Sequence, residues 1–231
     1  MKTYAFSDVH GNYKLVEAVL NYCQSDDVIY FLGDGGDRGP DGVKCIQRLL
    51  NDSRVTYIKG NHEQMFIDGI WSKWHNEGAL IWDSQWHLWK QNGGSKTYRQ
   101  FMGLTHQERV QLLNELDYLP LDAIYVNKTG CRIYLSHAGT DAAKIGTPFA
   151  DILWDRSHIS HYWTDEKIFD NLYIVHGHTP VQHFDLNKQI YQYAHKHKID
   201  IDMGTYLSNT VALLDLDSIG TNKLEVKYFT C

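Results

Sequence analysis

Five times along this chain a short apolar run, rich in β-branched and aromatic residues, stops at a cluster mixing glycine with aspartate, asparagine or histidine. The clusters are Ser7-Asp8-Val9-His10-Gly11, Gly33-Asp34-Gly35-Gly36-Asp37-Arg38-Gly39, Gly60-Asn61-His62-Glu63, Ser136-His137-Ala138-Gly139 and Gly177-His178-Thr179. They span positions 7 to 179, so only folding can unite them. Carboxylate and imidazole ligands beside small residues, repeated at strand ends, describe a metal site built from loops.

The intervals between the first three clusters read as strand and helix in alternation. Asn12 is placed to cap a helix whose Leu15, Val16, Val19 and Leu20 recur at helical spacing up to about Cys23. Val28 to Leu32 reads as a buried strand. Asp41 is placed to cap a second helix, with Val43, Ile46, Leu49 and Leu50 facing inward, before a strand from Val55 to Ile58. Strand, site loop and helix repeated in this order predict a parallel sheet with chemistry at its carboxyl ends. Residues 64–120 lose the strand pattern and hold five of the seven tryptophans. They predict a helical insertion, in which Trp82, Trp86 and Trp89 share a face and Asn92-Gly93-Gly94 stops the helix. Two uses are open to these rings, a packed aromatic core or a wall that stacks on substrate.

From Ala123 the chain turns to β structure. Ala123–Val126 and Arg132–Leu135 flank a turn at Asn127-Lys128-Thr129-Gly130, Leu172–Val175 leads into the fifth cluster, and Val211–Leu216 pairs with Leu224–Phe229. With 231 residues, 43% of them hydrophobic, and no linker or repeat, the expectation is one α/β domain over residues 1–231. A net charge of -6 without a basic block speaks against nucleic acid as a partner. Cys23, Cys45, Cys131 and Cys231 form no close pair, which points to a reducing, cytoplasmic setting. No stretch has signal-peptide character or approaches the ~20 apolar residues of a membrane span, so no membrane association is expected. Nothing in the sequence specifies an oligomeric state.

Asp8 and His10 are one residue apart, so in extended backbone both side chains reach the same side and can meet one ion. A carboxylate with an imidazole suits manganese, iron or zinc, whereas calcium or magnesium recruits more oxygen. In the second cluster a carboxylate can bridge two cations while Arg38 grips phosphate oxygens. Asn61 and His62 are neighbours and need not face the same atom. His137 and His178 each follow a strand, but His176 competes with His178, and spacing alone leaves that choice open.

Taken together, Asp8-Val9-His10-Gly11, Gly33-Asp34 with Asp37-Arg38-Gly39, Gly60-Asn61-His62-Glu63, His137-Ala138-Gly139 and Gly177-His178 resemble the calcineurin-like metallophosphoesterases. Within them the chain resembles the phosphoprotein phosphatases, close to the bacterial and phage lambda-type serine/threonine phosphatases and the symmetrical diadenosine tetraphosphate hydrolases. Trp89-Lys90-Gln91-Asn92-Gly93-Gly94, Ile152-Leu153-Trp154-Asp155-Arg156 and Gly177-His178-Thr179-Pro180 carry the likeness to that bacterial branch.

The resemblance implies layered sheets flanked by helices and a binuclear centre of two divalent ions, manganese first, with iron or zinc as alternatives. Asp8, His10 and Asp34 would serve one ion, with Asp34 bridging to a second held by Asn61, His137 and His178. It selects His178 over His176, which becomes a packing residue. Arg38 and Arg156, with Asn61, would contact phosphate, and His62, oriented by Asp37, would protonate the leaving group, with Glu63 in support. Two cations about 3.5–4 Å apart would activate a shared water for in-line attack on phosphorus.

The implied substrates are phosphorylated proteins, with dinucleoside polyphosphates or other small phosphate esters as the alternative. A noncatalytic scaffold on the same fold would be expected to lack some of these groups. Gly35-Gly36 stands where the family carries a larger apolar residue, which predicts a looser second loop, and Ser7 stands where glycine is commoner.

Overall fold

The structure, a computed structural model, describes residues 1–75, 84–139, 150–156, 171–184, 189–193 and 197–231. Two five-stranded sheets face one another. The first contains β1 (Thr3–Phe6), β2 (Val28–Phe31), β3 (Val55–Tyr57), β9 (Thr210–Asp215) and β10 (Val226–Thr230) in the order β10-β9-β1-β2-β3. The second contains β4 (Asp122–Val126), β5 (Arg132–Ser136), β6 (Leu172–His176), β7 (Tyr191–Gln192) and β8 (Lys198–Asp200) in the order β4-β5-β6-β8-β7. The pairs β1–β2, β2–β3, β5–β6 and β6–β8 are parallel, so their carboxyl ends lie at one edge.

Residues alternate across each strand, as a period of two requires. Ala5, Leu32 and Ile58 face Ile133, Leu135, Val175 and Ile199 in a core between the sheets. Tyr4, Phe6, Ile29, Phe31 and Tyr57 point the other way and pack under helices. Those helices are α1 (Tyr13–Tyr22), α2 (Gly42–Leu50), α3 (Asn61–His75), α4 (Ser84–Trp89), α5 (Ser95–Met102) and α6 (His106–Asp117). A short α7 (Thr205–Ser208) follows β8. Both faces of the first sheet are therefore covered, which is why its strands read as continuous apolar runs.

Asn12 caps α1 as its sequence position requires, its side chain accepting from Leu15 N. Asp41 precedes α2 without a side-chain cap bond. Residues 84–117 and 61–75 give the insertion its helical character, and Asn92-Gly93-Gly94 interrupts it between two helices as its sequence predicts. The backbone kinks within Lys90–Gly94 at Gly93, whose φ of 103° is not helical, and α5 starts directly after it. Trp82 lies outside the described residues, so the three-tryptophan face reduces here to Trp86 and Trp89, whose rings meet edge to face at 5.7 Å. No helix among the described residues is long and apolar enough to cross a membrane.

Candidate metal centre

The five clusters converge at the carboxyl edge of the two sheets. The first two loops continue the pairing of β1 with β2: Asp8 N donates to Gly33 O at 3.0 Å and His10 N to Asp34 O at 3.0 Å. Gly177 N donates to His137 O at 2.8 Å, joining the fourth and fifth clusters. The sheets are stitched across the centre by His178 N, 3.2 Å from Asp8 Oδ2. Such close approach needs glycine: a Cβ on Gly33 would sit 2.6 Å from Gly60 Cα.

Eight non-glycine residues among those described have positive φ. Asn171 and Asn209 lie outside the five clusters, and asparagine, aspartate and histidine are the types that tolerate it best. The other six are Asp8 at 52°, His10 at 44°, Asp34 at 61°, Asp37 at 63°, Arg38 at 59° and His178 at 70°. Each left-handed residue costs roughly 1–2 kcal/mol. Strain gathered on the functional side chains rather than spread through the loops is the mark of a site whose side-chain directions matter.

Asp34 is the centre of the arrangement. Its Oδ2 lies 3.6 Å from His10 Nε2 and its Oδ1 3.4 Å from His137 Nε2. Two sets of donor atoms, each within 4.8 Å of one another, share it: Asp8, Asp34 and His137 form one, and His10, Asp34 and His62 the other. Asn61 Oδ1 stands 2.8 Å from His137 Nε2 and 3.1 Å from His178 Nδ1. His176 is buried with Nδ1 turned to Gly177 O at 2.9 Å, so the geometry groups His178, not His176, with Asn61.

The third cluster is not a loop but the first turn of α3. Successive helical residues diverge by about 100°. Asn61 therefore turns to His137 and His178, His62 to Asp37, and Glu63 back beneath Asp34. Glu63 accepts from Asp34 N at 2.8 Å, Gly35 N at 3.0 Å, Gly60 N at 2.9 Å and Tyr57 Oη at 3.0 Å. A side chain on Gly35 would land on Tyr57 Oη. The second loop is thus tied down rather than loose, because a tyrosine from β3 occupies the volume its glycine leaves. Ser7 has a use of its own, its hydroxyl donating to Asp8 Oδ2.

His62 Nδ1 lies 2.7 Å from Asp37 Oδ2, and its Nε2 lies 3.1 Å from Arg38 Nη2. A guanidinium only donates, so Nε2 accepts here and Nδ1 carries the proton. Arg156 is exposed. It contributes with Arg38 to the positive field on Asp202 and His137.

The electrostatics fit cations. Burial, then the charges of Asp202 and Asp34, holds the Asp8 carboxyl well above its usual range, and burial with Glu63 does the same to Asp34. Burial pushes His10 down and His137 down to about 3, leaving neutral imidazoles, the form that ligates. Crowded carboxylates that repel one another beside neutral imidazole nitrogens make a donor set suited to divalent ions.

Sequence reading missed a sixth cluster of the same kind. Ile199-Asp200-Ile201-Asp202-Met203-Gly204 is another β-branched run ending in aspartate and glycine, at the end of β8 beside β6. Asp202 is buried, its carboxyl raised to about 6 by burial and its Oδ1 accepting from Gly204 N at 2.8 Å. The strand-end signature was sufficient to find it. Tyr206 gave no such signal: it stands at the rim with Arg38 Cζ 4.3 Å from its ring centre and His10 at 5.7 Å.

Residues 1–201 match the calcineurin-like phosphoesterase family, and the chain belongs to it. Serine/threonine-protein phosphatase 1 of Salmonella typhimurium is 28% identical over 76% of this chain and 77% of its own length. A symmetrical bis(5'-nucleosyl)-tetraphosphatase of Buchnera aphidicola is 29% identical over 60% of this chain and 45% of its own. Among solved structures, a metallophosphoesterase of Sphaerobacter thermophilus superposes with a TM-score of 0.58 at 18% identity, covering 99% of this chain and 88% of the other. The chain is therefore a metal-dependent phosphatase by family, and its fold is the layered two-sheet fold of that family.

Proposed function

We propose that this enzyme hydrolyses phosphate monoesters at a binuclear centre and that phosphoserine and phosphothreonine residues of proteins are its substrates. The observation that carries the reading is Asp34, whose two oxygens face His10 and His137 separately and which both donor sets share, although those sets place Asp8 with His137 and His62 with His10. Asp8, His10 and Asp34 would hold one ion, and Asp34, Asn61, His137 and His178 the other. When bound, two divalent ions, manganese in our reading, supply Lewis acidity and make water a nucleophile at neutral pH.

Arg38, Arg156 and Asn61 bind phosphate oxygens. His62 is read as the general acid rather than a ligand, since a guanidinium 3.1 Å from Nε2 repels a cation from that nitrogen. Phosphate draws Arg38 to itself and frees Nε2, which takes a proton from water to give an imidazolium paired with Asp37 and passes it to the departing alkoxide, help worth about 10²–10⁴-fold. Free cysteines at 23, 45, 131 and 231 support the cytoplasm as its compartment.

A second reading, a dinucleoside polyphosphate substrate, is favoured by the rim. Trp154 lies edge-on to His178 at 6.1 Å and is exposed, as is Tyr206 with Arg38 over its ring, so two rings at the rim could meet a base.

The test is hydrolysis of a phosphopeptide and of diadenosine tetraphosphate side by side with manganese, iron or zinc, identifying the nucleotide products. Preference for the phosphopeptide supports the first reading, and preference for the dinucleotide replaces it with the second. An active Asp34→Asn enzyme would sink the binuclear site under either.

A further inference from the structure

The tryptophan-rich insertion reaches the catalytic loop. Trp89 is fully buried at the end of α4, stacked on Phe66 with ring centres 4.8 Å apart. Its indole N–H is directed away from that stack, and Nε1 donates to Asp37 Oδ2 at 2.9 Å, the same oxygen that His62 Nδ1 meets at 2.7 Å. Asp37 Oδ1 has no hydrogen-bond partner among the described residues, so two donors converging on one oxygen fix the carboxylate.

The following turns grip the backbone of the same loop. Asp37 N donates to Thr97 Oγ1 at 2.9 Å and Arg38 N to Gly93 O at 3.1 Å. Lys96 Nζ donates to Arg38 O at 3.1 Å, and Gln100 Nε2 to Pro40 O. Asp37 and Arg38 are consecutive left-handed residues, a conformation that persists only where the surroundings over-determine it. The kink makes the grip possible: Gly93 packs on Arg38, and Gly94 on the Trp89 indole, each where a Cβ would collide.

We infer that Trp89 is a positioning residue for proton transfer. Its indole N–H and the Thr97 hydroxyl hold Asp37 so that His62 presents Nε2 to the leaving group. The insertion is then part of the acid apparatus rather than a lid or a substrate wall. This rests on His62 being the general acid, and the experiment separates the two claims.

A general acid matters in proportion to how poor the leaving group is. The manganese-loaded full chain is assayed on p-nitrophenyl phosphate and on phenyl phosphate, whose leaving alcohols differ in acidity. His62→Asn is the reference, expected to lose on the order of tenfold more activity on the poorer leaving group. Trp89→Phe keeps a stacking ring and removes only the N–H, and it should show the same skew at roughly three- to tenfold. Thr97→Val should show it more weakly, and Thr97→Ser should restore the wild-type ratio. Thermal unfolding confirms that each variant is folded, and Thr97→Val decides the matter if Trp89→Phe is not.

A skew in His62→Asn but none in Trp89→Phe and Thr97→Val overturns the inference. So does an equal loss on both substrates in those two variants, which marks the clamp as structural. No skew in His62→Asn removes the general-acid reading beneath it.

Discussion

Trp89 has no exposed surface and aims its N–H at Asp37, whereas Trp154 and Tyr206 expose 42% and 44% of theirs at the rim beside His178 and Arg38. The rings are alike in chemistry and differ in what covers them. A buried indole must satisfy its N–H and so becomes a fixed donor, while the exposed rings meet water and, at Tyr206, the Arg38 guanidinium. The tryptophan-rich segment therefore serves the machinery from beneath. The exposed rings beside the site, Trp154 and Tyr206, lie outside that segment.

The largest effect tests what both regions depend on. Asp34→Asn should lower kcat on p-nitrophenyl phosphate by on the order of 10³-fold or more, about 4 kcal/mol of barrier, with both sets of rings intact. Metal content after purification should fall in parallel.

Next comes the contrast itself. Trp89→Ala should destabilise the fold by about 3–5 kcal/mol in denaturant unfolding, because it empties a filled core position. Trp154→Ala should stay within roughly 0.5 kcal/mol of wild type. Equal stability losses would break the distinction.

Trp154→Ala and Tyr206→Ala should act on substrate choice instead. Loss of a stacking face, about 0.5–1.5 kcal/mol, should raise KM for diadenosine tetraphosphate several-fold while leaving a phosphoserine peptide nearly unaffected. Equal shifts for both substrates would show that the rim does not read a base.

A separate contrast is a slope with pH, since none of these tryptophans titrates there. Burial lowers His137 from 6.5 to about 3, so between those values the unfolded chain binds a proton that the metal-free folded chain does not. That contribution is complete above about 6.5 and is lost as pH falls toward about 3. His137→Asn should flatten this acid limb in metal-free thermal unfolding, and Trp154→Ala should leave it unchanged.

Much of this was legible in the chain. The continuous apolar run Tyr4-Ala5-Phe6 reports a strand buried on both faces, the spacing of Leu15, Val16, Val19 and Leu20 reports α1, and the strand-end clusters report where ligating side chains gather. The sixth cluster at Asp202 was equally legible by the same signature. Gly35-Gly36 misleads when read locally, because the space those glycines leave is taken by Tyr57, 22 positions on from Gly35, whose hydroxyl binds Glu63.

Residue types and their periods, set by local chemistry, determined the strands, most helices and the class of site. The choice of His178 over His176, left open by spacing and made by the family resemblance, is matched by its contact with Asn61. Only the tertiary structure decided that Glu63 lies under Asp34 and that Trp89 reaches Asp37 across 52 positions. The physical reason is that a side chain's type is encoded locally. Which atom its donor or acceptor meets depends on loops brought within hydrogen-bond distance by the packing of both sheets and the insertion.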